Sequence, residues 1–425
     1  MSRPRAAILL TGNELLRGVI SDQNAPHLAR ALERLGFSLT RTVIVGDDLA
    51  DIRAGLRTAL ETADLVVTSG GLGPTHDDRT VEAIAAEAGV PLVLDEDVLG
   101  RITRWTDGVA DRYGYERGRF EAGNRKQAHI PEGAHVLGIA GTAPALVVAV
   151  GDAHLVVLPG VPSELRRLWP LAPEHPALAD LVARARPRRQ WLIRTYGIGE
   201  SHVADLFAES GGDPEGVETS ICARNFEIEI DIRAEAGSEA NGAGMRDRMT
   251  AALGDFVFAT DERPLAEIVL DLLRERGWTA ATAESCTGGM VAGRLTDIAG
   301  SSDAFAGGAV VYSNELKMAL LGVPADLLEA HGAVSAEVAE AMAEGARERL
   351  GADVAVSVTG VAGPGGGTPE KPVGLVYMHV ASPAGGEGRQ MEWPGDRAIV
   401  RARATAGALQ LLRAHLVATP AHPRP

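Results

Sequence analysis

Three short runs in the last third of the chain carry residue types that could do chemistry. The first is Glu284-Ser285-Cys286-Thr287-Gly288-Gly289. The apolar run Thr279 to Ala283 reads as a strand leading into it, and the two glycines open a helix. Glycine there permits close approach of backbone to ligand. A helix start offers unpaired N–H groups to an oxyanion or a phosphate. A serine on such a turn can attack a carbonyl carbon while amides hold the developing negative charge. The same hexapeptide reads equally as a helix cap, because Ser and Thr are common caps. Cys286 is a chemical rival for the attack, since a thiolate at a helix N-terminus is activated.

The second run is Tyr312 with Lys317, at the end of a strand read over Gly308 to Tyr312 and in the helix after it. A lysine desolvated against a tyrosine can lose its proton and serve a nearby serine as base; an ordinary surface lysine is the plain alternative. The third run is Thr359-Gly360-Val361-Ala362-Gly363-Pro364-Gly365-Gly366-Gly367. So much glycine after a strand suits close contact with phosphate or ribose, or a plain surface loop.

The first third holds a comparable turn, Gly70-Gly71-Leu72-Gly73-Pro74-Thr75-His76-Asp77-Asp78. Glycines after a buried strand bring amides to a phosphate, and the following helix adds its positive end. The adjacent carboxylates offer oxygen ligands to a divalent ion, though acidic residues in a first helical turn are also favoured by the helix dipole. Other polar loops are Thr11-Gly12-Asn13-Glu14, Asp47-Asp48, Asn124-Arg125-Lys126-Gln127 and Pro159 to Glu164.

The elements that must position these runs follow from periodicity. Ala6 to Leu10, Ser38 to Val45 and Asp64 to Thr68 read as strands. Asn24 to Leu35, Leu49 to Leu60 and about Asp78 to Ala88 read as helices. Alternation at this spacing predicts a parallel sheet covered on both faces. A break rich in Pro, Ala and Arg falls near Pro170 to Pro187. Beyond it, strands Gln190 to Tyr196 and Phe226 to Ala234 flank a helix Glu200 to Glu209, and Gly237 to Gly244 reads as a loop. The last segment opens with a helix Leu265 to Arg276. It continues through a helix capped by Ser335 and ending near Leu350, strands Val354 to Val358 and Val373 to Val380, and a closing helix Arg397 to Leu412. No internal repeat links the first and last segments.

The chain has 425 residues, 45% hydrophobic and 23% charged, with a formal net charge of −16. The length calls for more than one domain. A surface this acidic disfavours bulk binding to nucleic acid or anionic lipid. The one dense basic run, Arg184, Arg186, Arg188 and Arg189, reads as a solvated interdomain segment. The two cysteines, Cys222 and Cys286, form neither a disulfide framework nor a zinc-site spacing. The first sixteen residues lack the apolar run of a signal peptide, and Gly151, Asp152 and His154 break the longest apolar stretch. A cytoplasmic protein without membrane contact is expected.

The last segment resembles, end to end, the nicotinamide-nucleotide amidase domain, which is the C-terminal domain of the competence/damage-inducible protein A (CinA) family. The matching runs are Ala283 to Gly289, Gly300 to Ser302, Tyr312 to Lys317, Leu321 to Val323, His331 to Ser335 and Thr359 to Gly374. The resemblance implies hydrolysis of nicotinamide mononucleotide to nicotinic acid mononucleotide and ammonia. Ser285 would be the nucleophile, with Tyr312 and Lys317 as the activating pair. Substrate contacts would come from Thr287, Gly288, Gly289, Thr359, Gly360, Gly363 and Gly365, and no cofactor is implied for this step.

The first segment, about Arg5 to Trp169, resembles the N-terminal domain of the same family, whose fold is that of molybdopterin-binding proteins. The runs are Glu14 to Leu16, Gly70 to Asp78, Asn124 to Gln127, Gly141 to Pro144 and Leu158 to Glu164. The resemblance implies a metal-dependent pyrophosphatase that splits ADP-ribose. Glu14, Asp47, Asp77 and Asp78 would be the ligands of a divalent ion, Mg2+, Mn2+ or Co2+. Gly12, Asn24, Gly70, Gly71, Gly73, Thr75, Lys126, Gly160 and Glu164 would face the nucleotide, with Lys126 near a phosphate. Asn13 stands where the family usually has Thr, and Ala145 where Gly is usual. The middle segment resembles the family's small K-homology (KH)-like connector, but its Gly197-Ile198-Gly199-Glu200 run is acidic and off the nucleic-acid-clamping spacing.

The expected fold class is therefore α/β. A molybdopterin-binding-like three-layer domain covers residues 1–170, a small α+β KH-like connector 171–258, and an α/β amidase domain 259–417. The expected partners are small nucleotides and a second copy in a homodimer, with direct nucleic-acid binding disfavoured. Two other classes compete: a first domain that binds a nucleotide or pterin without turnover, and an adaptor in DNA uptake or recombination.

Overall fold

The structure, a computed structural model, describes residues 3–224 and 226–419. The described residues fall into two compact units, 3–189 with 234–239, and 190–233 with 240–419.

In the first unit, β1 (Arg5–Thr11), β2 (Ser38–Val45), β3 (Leu65–Ser69), β6 (His135–Ile139), β7 (Pro144–Val150) and β8 (Ala153–Leu158) form one sheet in the order β2-β1-β3-β8-β7-β6. β4 (Leu92–Leu94) and β5 (His129–Pro131) form a separate pair. Alternate residues of β1 enter different cores. Ala6, Ile8 and Leu10 pack on one face, Ala7 and Leu9 on the other. That is the two-sided burial of a three-layer α/β sheet. Four strands are parallel, as the alternation predicts, but β7 runs antiparallel to β8 and β6 antiparallel to β7. The register sets Leu10, Ser69 and Leu158 side by side, so the loops after β1, β3 and β8 open at one edge.

In the second unit, β9 (Arg189–Thr195), β10 (Val217–Arg224), β11 (Glu227–Ala234) and β12 (Val257–Ala259) form a sheet in the order β10-β11-β9-β12. Ile193, Ile228, Ile230 and Ile232 pack with Val203, Met245, Met249 and Leu253. Here the loop expected over Gly237 to Gly244 is corrected: a helix runs from Glu239 to Leu253. Gly242 and Gly244 lower helix propensity, but Gly242 is buried and Met245, Met249 and Leu253 line up at four-residue spacing onto the sheet. Tertiary packing overrides the local preference.

The larger sheet is β14-β13-β15-β16-β17, built from β13 (Ala280–Glu284), β14 (Phe305–Val310), β15 (Val354–Gly360), β16 (Leu375–Ser382) and β17 (Gly385–Glu392). β13 is parallel to both neighbours, and Glu284 pairs with Val310 on one side and Val358 on the other. Three runs far apart in sequence thus end at one place: the Ser285 turn, the segment after Val310 and the glycine loop. The strand expected over Gly308 to Tyr312 lies instead at Phe305–Val310, which leaves Tyr312 outside the sheet. Its core-facing alternation is carried by small residues, so hydropathy places it poorly. β17, missed in the sequence, is an edge strand with exposed charged residues. The closing helix runs on to Ala418. No helix among the described residues is long and apolar enough to cross a membrane.

Candidate functional site

The turn after β13 is held from inside by Glu284. This carboxylate is 1% exposed. It accepts hydrogen bonds from the amides of Gly289 (2.9 Å), Val291 (3.0 Å) and Ala292 (2.8 Å). The expectation of an open helix start for an external anion is corrected here, because the chain's own carboxylate fills it. Gly288 and Gly289 have φ of 63° and 95°, values that favour glycine, and they bend the chain between the serine and the helix.

Ser285 is anchored by its own N–H, which donates to the Val358 carbonyl at 2.9 Å, while its carbonyl accepts from Gly288 N–H at 3.1 Å. The Lys317 ammonium nitrogen lies 3.2 Å from Ser285 Oγ and donates to the Val311 carbonyl at 2.9 Å. Lys317 sits one turn into the helix Asn314–Leu321, which Ser313 caps. Its side chain is 1% exposed, and among the described residues no carboxylate bonds to it. Burial holds its pKa below the ordinary lysine value, with Cys286 and Glu315 opposing weakly. The result is a buried amine biased toward its neutral form beside a serine hydroxyl.

The rival nucleophile is disfavoured. Cys286 is buried in the core. Burial pushes its thiol up to about 11, against smaller opposing pulls from the Cys286 amide and the Arg401 guanidinium. A thiol held that high is protonated at neutral pH.

Tyr312 is 59% exposed, and its hydroxyl accepts from Arg397 Nη2 at 2.8 Å. It makes no hydrogen bond to Lys317; the lysine's second partner is the Val311 carbonyl. Arg397 also donates to the Gly363 carbonyl at 2.9 Å, joining Tyr312 to the glycine loop. One turn on, Arg401 donates to the carbonyls of Cys286 (3.0 Å) and Thr287 (2.8 Å). Sequence reasoning missed both arginines. A signal was present: cations four residues apart in the first two turns of a helix oppose its dipole, so something else must hold them there.

The remaining expected substrate contacts divide. Thr359 is buried and donates to the Ala333 carbonyl at 2.6 Å. Gly360 has no room for a side chain, since a Cβ would sit 2.7 Å from the Leu375 carbonyl oxygen. Gly365 is exposed with open space around it. Thr287 is fully buried, with its hydroxyl unpartnered.

In the first unit, the loops after β1, β3 and β8 surround a cleft of about 710 Å³. Among the described residues its lining includes Glu14, Asp22, Asp47, Asp77, Asp78 and Glu164, and no basic side chain. Burial raises the Asp47 pKa, and Glu14, Asp77 and Asp78 add like-charge repulsion, against the Asn13 amide that bonds it. Burial likewise raises Glu164, which packs where a Cβ on Gly141 would come within 2.2 Å of its Oε1. Asn24 donates to Ser69 Oγ (3.0 Å) and the Gly160 carbonyl (2.8 Å), tying two of the loops together. A Cβ on Gly12 would meet the Glu14 carboxylate, and on Gly70 or Gly71 the Thr11 carbonyl or Thr80 hydroxyl, so these turns are tightly packed. Asp78 accepts from the Thr75 amide (2.9 Å) and sits against Gly73.

Lys126 donates to the carbonyls of Gly73, Thr75 and Asp78, and Gln127 to that of Leu72. The Asn124-to-Gln127 run thus clamps the glycine turn, and the lysine's donors are spent on backbone. The carboxylates suit an oxygen-preferring divalent ion in donor type and charge. Their side chains as placed do not converge: among the described residues, no group of three or more His, Cys, Asp or Glu could hold a metal ion.

Comparison with known proteins agrees with this two-part layout. Residues 262–416 match the family described as "CinA C-terminal domain", and residues 7–177 the one described as "Probable molybdopterin binding domain". A "CinA-like protein" of Mycolicibacterium vanbaalenii is 46% identical over 96% of this chain and 98% of its own. A "CinA-like protein" of Mycobacterium tuberculosis is 44% identical over 99% of each chain. Among solved structures, a competence/damage-inducible protein of Agrobacterium tumefaciens is 40% identical, covering 37% of this chain and 98% of that one, with a TM-score of 0.35.

Proposed function

This chain belongs to the CinA family, and from that premise we propose that it hydrolyses the carboxamide of nicotinamide mononucleotide, with Ser285 as nucleophile and Lys317 as proton carrier. The observation that carries the reading is the buried Lys317 nitrogen 3.2 Å from Ser285 Oγ, with no carboxylate bonded to it among the described residues. The neutral amine takes the hydroxyl proton as Oγ bonds to the carboxamide carbon. The amides of Cys286 and Thr287, which donate to no oxygen among the described residues, are the candidate donors to the oxyanion. The Lys317 ammonium then returns the proton to the leaving nitrogen, and ammonia departs from an acyl-serine. Water attacks that ester, giving its proton to Lys317; the tetrahedral intermediate collapses, Ser285 regains its proton, and the product is the carboxylate mononucleotide. Tyr312 lies outside this proton path, at the mouth, with Arg397 and the glycine loop.

The test is ammonia release from nicotinamide mononucleotide by the full chain, with the acid mononucleotide identified as co-product. Cys286→Ser should keep the rate within about threefold, because a thiol held near 11 supplies no nucleophile. Absence of ammonia from the wild-type chain, or its loss in Cys286→Ser with Ser285 intact, would refute the assignment.

For the first unit we propose cleavage of the ADP-ribose pyrophosphate. The supporting observation is a cleft lined, among the described residues, by six carboxylates and no cation, which on its own repels a pyrophosphate. A divalent ion bound there would neutralise and polarise the phosphates. Glu14, Asp47, Asp77 and Asp78 are its candidate ligands, and their side chains would have to turn to converge on it. Asn24 and the Lys126–Gln127 clamp keep the surrounding loops in place. ADP-ribose should yield AMP and ribose 5-phosphate only with added Mg2+, Mn2+ or Co2+, and chelator should abolish the yield. Equal turnover in chelator, or tight ADP-ribose binding with no turnover under any of these ions, would favour a binding module instead.

A further inference from the structure

We propose that Arg401 is a positioning residue for the amide that stabilises the reaction's oxyanion, an inference that rests on the Ser285 reading above. Arg401 Nε bonds the Cys286 carbonyl at 3.0 Å and Nη2 the Thr287 carbonyl at 2.8 Å, so one planar guanidinium holds two successive peptide groups. In a trans peptide the C=O and N–H of one unit point in opposite directions. The Cys286 carbonyl shares its peptide with the Thr287 N–H. Fixing that carbonyl toward Arg401 therefore fixes the Thr287 N–H on the far side of the turn.

The neighbouring unit is locked at both ends: its carbonyl by Arg401, and its N–H, that of Gly288, by the Ser285 carbonyl at 3.1 Å. Among the described residues the Thr287 N–H is the end left without an oxygen partner; the Cys286 thiol it faces is a weak acceptor that an oxyanion would replace. Gly288 permits the approach, since a Cβ there would stand 3.3 Å from Arg401 Nη2. Glu284 grips the amides of Gly289, Val291 and Ala292 just beyond, so the turn is held by a carboxylate on one side and a guanidinium on the other. An arginine near the N-terminus of a helix works against the helix dipole; holding these carbonyls is what the placement gains.

A lysine at this position cannot reproduce a fork that reads two carbonyls at once. In the full chain, Arg401→Lys and Arg401→Ala should each lower kcat for ammonia release by about 10²-fold, the usual effect of losing one oxyanion donor. KM should move by less than about threefold. A mononucleotide carrying a boronic acid in place of the carboxamide forms a tetrahedral adduct with serine, and its affinity should fall in step with kcat. Affinity for the acid product, which needs no oxyanion donor, should stay level. Native thiol titration, with Cys222 reacting and Cys286 protected as in the wild type, reports that the turn is still folded.

Arg401→Lys with wild-type kcat would overturn the proposal, as would boronate and product affinities falling together. A wild-type chain that releases no ammonia would instead overturn the Ser285 reading, and this proposal with it.

Discussion

Ser285→Ala should lower the rate of ammonia release from nicotinamide mononucleotide by about 10⁴-fold or more, as loss of the nucleophile does in serine hydrolases. On the proposed reading the hydroxyl forms the covalent intermediate, since the neighbouring thiol is buried and held near 11. Stability should fall by no more than about 2 kcal/mol, because a single side-chain hydrogen bond to a buried amine is lost. Lys317 keeps the Val311 carbonyl in that variant. Single-turnover measurement adds a second check: wild type should release ammonia in a burst ahead of the acid product, and the variant should show none. A variant retaining a tenth of the wild-type rate would remove Ser285 from the mechanism.

Lys317→Met should lower the same rate by about 10³-fold, within the range assigned to general acid–base groups. Lys317→Arg should be as poor, because a guanidinium does not give up its proton. The wild-type kcat/KM should climb with pH along a limb whose midpoint lies below the ordinary lysine value of about 10.4, since the neutral amine is the active form.

The stability prediction has the opposite sign. Burial depresses the folded-state pKa, so between that value and the unfolded one the unfolded chain binds more protons, and wild-type stability rises with pH. Below the folded pKa the protein carries a buried ammonium at full cost. Methionine removes that cost and forfeits two hydrogen bonds, to the Val311 carbonyl and to Ser285 Oγ, so Lys317→Met should raise stability near neutral pH by about 1 kcal/mol. The advantage should shrink as pH climbs through the folded pKa. Thermal unfolding across pH measures it. A variant less stable than wild type at every pH would mean that the amine is held for packing and not poised for proton transfer.

The sequence by itself determined the alternation of strands and helices in the first unit, the helices Asn24–Leu35, Leu49–Leu60 and Leu265–Arg276, and the Ser335 cap. All of these follow from local periodicity and cap chemistry, which neighbouring residues decide. Residue types at strand ends also raised Ser285 and the glycine runs as candidates, whereas Lys317, by itself an ordinary helical lysine, is singled out by the resemblance to the CinA C-terminal domain.

Tertiary structure alone decided what those residues touch. Helix Glu239–Leu253 forms because Met245, Met249 and Leu253 meet a sheet, despite its glycines. Lys317 meets Ser285 because β13 lies between β14 and β15. Glu284 closes the helix start that looked open, Tyr312 turns to Arg397 and away from the lysine, and Lys126 is consumed by the turn it was expected to serve. Arg401 grips a turn more than a hundred residues earlier in the chain. Each is a contact between segments distant in sequence. Spacing along the chain carries no record of such contacts, and the electrostatics of a buried amine or thiol depend on walls that only the folded chain supplies.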